Sequence, residues 1–142
     1  MRAQTLSFAV AATLLQALPA HAQSCAQVEV QHVRPQQGHL MVEAFADAQS
    51  YGKKAVVALR VPAGDAITRF ELCGLGSGSI ALRVFQDLDS DGKMARNPMG
   101  VPTEPWGSSG KPGMFGPTWD ATHVALDGSA LSRQLHARVT VA

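Results

Sequence analysis

Seven short runs that alternate apolar and polar residues, each closed by turn residues, set the limits on what this chain can build. Successive side chains of a strand point to opposite faces, so period-two alternation marks an element with one face buried. The runs cover residues 27–33, 39–45, 55–61, 66–73, 79–85, 121–126 and 134–141. In the second, Leu40, Val42 and Ala44 share a face; in the fifth, Ile80, Leu82 and Val84 do. Pro62-Ala63-Gly64-Asp65 and Gly74-Leu75-Gly76-Ser77-Gly78 read as turns between runs. A short helix within 44–58 is favoured by Ala and Lys but opposed by Gly52, Val56 and Val57. The pattern predicts an all-β fold, an antiparallel Greek-key β-sandwich of about seven strands.

Residues 1–22 have the form of a signal peptide: Arg2, an apolar stretch from Leu6 to Leu18, and the small-x-small site Ala20-His21-Ala22. The apolar stretch falls short of the roughly 20 residues a membrane span needs. Cleavage after Ala22 leaves one domain, residues 23–142, in the periplasm or outside the cell. Loss of Arg2 takes the net charge from +1 to zero. A neutral body gives no electrostatic basis for binding nucleic acid, and no second segment could cross a membrane. Export leads to an oxidising compartment, where Cys25 and Cys73 are expected to form a disulfide rather than two separate buried thiols.

Residues 86–119 form the long exception to the strand pattern, rich in Gly and Pro yet carrying Trp106, Phe115 and Trp119. Loops of that length are commonly functional when they are ordered. Asp87-Leu88-Asp89-Ser90-Asp91-Gly92 matches the opening of a calcium loop, in which alternate carboxylates converge on one hard cation. Position nine of such a loop is Ala95 and position twelve, normally a bidentate Glu, is Pro98. We therefore expect a Ca²⁺ site from Asp87, Asp89, Asp91 and the Lys93 carbonyl, closed by Glu104, with Asn97, Asp47 and Asp120 as other candidates. The competing reading is a solvated acidic turn balanced by Lys93 and Arg96.

Other motifs carry less. The Gly74–Gly78 turn resembles a phosphate loop but precedes a strand, not the helix such a loop requires. His32, His39, His123 and His136 lack metal-ligand spacing. Gly107-Ser108-Ser109-Gly110 is no nucleophile elbow. Trp106, Phe115 and Trp119 form either a stacking platform or a small core that holds the loop.

Val84-Phe85-Gln86-Asp87-Leu88-Asp89-Ser90-Asp91-Gly92-Lys93, then Gly100-Val101-Pro102-Thr103-Glu104-Pro105-Trp106-Gly107-Ser108, resembles the signature of the DUF2141 family. The resemblance extends over residues 28–141, with 115–119 similar to the family's Phe-containing segment. It implies an exported bacterial protein with a transthyretin-like sandwich, in a family without an assigned activity. Two positions depart from the pattern: Gln86 replaces a His, and Ala95 an acidic residue. The expectation is a non-catalytic binding or structural module with an unknown envelope or extracellular ligand. The alternative is an envelope-acting hydrolase with Asp87 and Glu104 as its carboxylate pair.

Overall fold

The alternation becomes a burial pattern in the computed structural model, which describes residues 25–114, 116–126 and 137–140. Strand β1 (Cys25–Gln31) buries Ala26, Val28 and Val30, and β2 (His39–Phe45) buries Leu40, Val42 and Ala44. β3 (Val57–Pro62) turns Val57, Leu59 and Val61 inward, half-buried. β4 (Ile67–Cys73) buries Thr68 and Leu72, and β5 (Gly78–Asp87) buries Ile80, Leu82 and Val84. These side chains form one core drawn from two sheets. Each fully buried aliphatic group stabilises by about 1.5–3 kcal/mol relative to exposure.

One sheet has the order β4-β1-β8, with β8 at Ala137–Thr140; the other runs β3-β2-β5-β6, with β6 at Trp106–Ser108. A short strand β7 (Val124–Leu126) pairs with the start of β5. β1 and β4 are antiparallel and bring Cys25 opposite Cys73. The expected disulfide is present there, with Cα atoms 4.0 Å apart and a sequence separation of 48.

Three details correct the sequence reading. The described residues form eight strands, because β6 lies inside the stretch read as irregular. The 121–126 run divides into the end of a four-residue helix α1 (Trp119–Thr122) and β7. Thr118 caps that helix: its side chain accepts from the Ala121 N–H, and extended His123 stops it. Finally, β8 runs parallel to β1, so pairing is not antiparallel throughout. The 1–22 segment, Phe115 and His136 lie outside the described residues. No helix among the described residues is long and apolar enough to cross a membrane.

Candidate metal centre

The acidic loop starts where β5 ends. Cross-strand pairing with β2 places Asp87 opposite His39, and the Asp87 side chain is fully buried. One of its oxygens accepts from the Asp91 N–H at 3.1 Å and the other from the Gly92 N–H at 2.8 Å. Asp89 accepts from the same Asp91 N–H at 3.2 Å, and Asp91 from the Lys93 N–H at 2.7 Å. Each carboxylate therefore curls the chain over itself, the local bonding through which Asp favours turns. The tight path needs left-handed backbone at Ser90 (φ 62°) and Gly92 (φ 79°).

The result is convergence. One ligand atom from each of Asp87, Asp89 and Asp91 lies within 4.8 Å of the others. Among the described residues none of the three joins an ion pair; the salt bridge present is Arg69–Glu29. Three such charges at this separation repel by an amount on the order of a kcal/mol per pair, even where water screens them well. Each oxygen that accepts one N–H keeps a second lone pair, so backbone bonding and cation binding are compatible.

Glu104 is brought to this loop from the far side of 93–103, but with both oxygens engaged. It is 6% exposed and accepts from the Leu88 N–H at 2.8 Å and the Ala95 N–H at 2.9 Å. It thus latches the two ends of the acidic loop, and it stands outside the convergent group of three. Asp87 and Glu104, the pair of the hydrolase reading, each accept a backbone N–H on both oxygens. The other closing candidates also stand outside the convergent group. Asn97 accepts from Met99 and Val101, and Asp120 sits in the first turn of α1. Asp47 accepts from the Ser50 N–H, and that bond holds its carboxyl below the usual range. Glu71 also converges with Cys25 and Cys73, but those sulfurs are bonded to each other and offer no thiolate.

The neighbours of the loop explain two more sequence features. Gln86, fully buried, donates to the Arg34 and Gln37 carbonyls at 2.8 and 2.7 Å and accepts from the Arg34 N–H at 2.9 Å. It ties the β1–β2 turn to β5. In that turn Gly38, at φ 60°, lies so close to Asp87 that a Cβ would meet the carbonyl oxygen of Asp87. Ser109 is also structural: its hydroxyl accepts from the Leu82 N–H and donates to the Thr122 carbonyl, fastening the chain after β6 to β5 and α1. Trp119 packs edge-on against Tyr51, which does the same against Phe45, while His123 stacks on Trp119. Trp106 is elsewhere, paired with Phe85 across β5 and β6. The two tryptophans of the long loop therefore lie in different places. Sequence alternation signals that Phe85 is outward; it carried no signal for Trp106, which lies in the stretch read as irregular, or for the Gln86 and Ser109 bonds.

Residues 28–134 match the family described as "Uncharacterized protein conserved in bacteria (DUF2141)", and the chain belongs to it. No curated protein and no solved structure matches.

Proposed function

We propose that this DUF2141 protein is an exported, non-catalytic binding or structural module whose acidic loop takes up Ca²⁺. The observation that carries the reading is the convergence of the Asp87, Asp89 and Asp91 oxygens within 4.8 Å on a loop already held by Glu104. A divalent cation removes their mutual repulsion and uses their remaining lone pairs. In this reading the Lys93 carbonyl adds a ligand, water fills other positions, and Glu104 shapes the loop. With neither Ala95 nor Pro98 able to ligate, affinity falls near the roughly 10⁻⁴–10⁻³ M of extracellular calcium modules. The leader 1–22 and the Cys25–Cys73 disulfide support a periplasmic or secreted location. The two sheets are consistent with a Greek-key sandwich of the transthyretin type.

Thermal melts with and without about 5 mM Ca²⁺, well above that Kd range, test the proposal. At a concentration several times Kd, binding adds about 1–2 kcal/mol and raises Tm by a few degrees. The Asp89→Ala variant should lose that rise. A natural protein whose Tm ignores calcium would reduce the loop to a solvated turn.

A further inference from the structure

The outward face of the larger sheet carries a row that alternation would assign to water but whose residues are apolar. Met41 of β2 lies between Arg60 of β3 and Phe85 of β5, and Phe85 lies beside Trp106 of β6. Met41, Phe85 and Trp106 are each only half-buried. Two adjoining hollows open over this row, of about 270 Å³ on the Arg60 side and about 90 Å³ on the Trp106 side. Both are lined by Phe85 and Glu43, and Met94 and Arg96 of the long loop wall the second.

The cations around this row lack carboxylate partners among the described residues. Arg60 lies 3.1 Å from His39 Nδ1, and Arg96 donates to the Gly100 carbonyl at 2.8 Å. The Arg83 guanidinium lies 6.0 Å from the centre of the Tyr51 ring. Glu43 faces Arg83 directly across β2 and β5, so their charges offset. Arg60 and Arg96, which form no salt bridge among the described residues, stand at the two ends of a floor of Met41, Phe85 and Trp106. Guanidinium groups bind planar oxyanions through paired N–H donors, and flat apolar groups pack on Trp and Phe.

We propose that Met41, Phe85 and Trp106, flanked by Arg60 and Arg96, bind a small organic anion: a carboxylate, sulfonate or phosphate head joined to a flat apolar group. Hollows of about 270 and 90 Å³ suit a small molecule. The proposal deepens the reading of the chain as a binding module and uses none of the three loop aspartates as a ligand contact.

The test uses the mature protein in EGTA, so failure of the calcium site leaves it intact. The probes are 8-anilinonaphthalene-1-sulfonate and its uncharged counterpart N-phenyl-1-naphthylamine, followed by their fluorescence and by isothermal calorimetry. The sulfonate should bind one to one and at least tenfold tighter than the neutral probe. Arg60→Gln and Arg96→Gln together should weaken the sulfonate about tenfold and leave the neutral probe within twofold. Trp106→Ala should weaken both, with circular dichroism confirming the fold of each variant. Absence of saturable sulfonate binding, equal affinity for the two probes, or indifference to the double arginine change would each overturn the proposal.

Discussion

At the residue scale, Glu104 shows how one side chain can organise the acidic loop through two backbone amides. Its two oxygens close the loop onto the Leu88 and Ala95 amides, so Glu104→Gln leaves one of them facing an NH₂ group. Hydrogen bonds to a charged acceptor contribute about 1.5–3 kcal/mol, and an orphaned buried donor costs a similar amount. Urea unfolding should therefore show a loss of about 2 kcal/mol. A change below about 0.5 kcal/mol, the range of an ordinary surface substitution, would mean that the latch is dispensable. Gly38 supplies a second check. Alanine there would need a left-handed backbone and would press its Cβ into the Asp87 carbonyl. Gly38→Ala should destabilise by about 2 kcal/mol or more, and a neutral result would contradict the close approach of the β1–β2 turn. The DxDxDG spacing was legible in the sequence because carboxylate convergence there is local. The latch was not: the sequence shows that Glu104 can fold back over Gly100 and Pro102, but not whether it meets a cation or two amides. Gln86 was visible only as a departure, since its three bonds depend on a turn some fifty residues earlier in the chain.

At the scale of elements, alternation located β1 to β5 to within about two residues, because their inward faces are buried by one continuous core. It failed where local pattern is too short to speak. β6 has three residues and α1 four, and both are held by tertiary bonds rather than by propensity. Alternation also assigns a face but not a partner, so the parallel pairing of β8 with β1 could not be read. Ser109 is the clearest tertiary tie: its buried hydroxyl joins β5 to the last residue of α1. Ser109→Ala orphans the Leu82 amide and the Thr122 carbonyl, and should lower stability by about 1–3 kcal/mol. Hydrogen exchange should show faster loss of protection in 106–124 than in β1 or β2. Uniform acceleration across the chain would argue that α1 and β6 are not a separable unit.

For the whole molecule, the disulfide and the acidic loop act at opposite places in the chain's history. Cys25–Cys73 constrains the unfolded state by closing a loop with a sequence separation of 48. In the chain-entropy account this is worth about 4 kcal/mol. The Cys25→Ser, Cys73→Ser double variant should lose stability of that order, and equal midpoints with and without reductant would contradict it. The acidic loop acts only on the folded state, where β5, Glu104 and Gly92 hold three carboxylates close together. The most direct measurement is a crystal structure grown in about 10 mM CaCl₂, an excess over the expected Kd. The account predicts an ion with oxygens of Asp87, Asp89 and Asp91 at about 2.3–2.6 Å, joined by the Lys93 carbonyl and water, and Glu104 still on its two amides. Well-ordered density for the three carboxylates with no ion between them would contradict it.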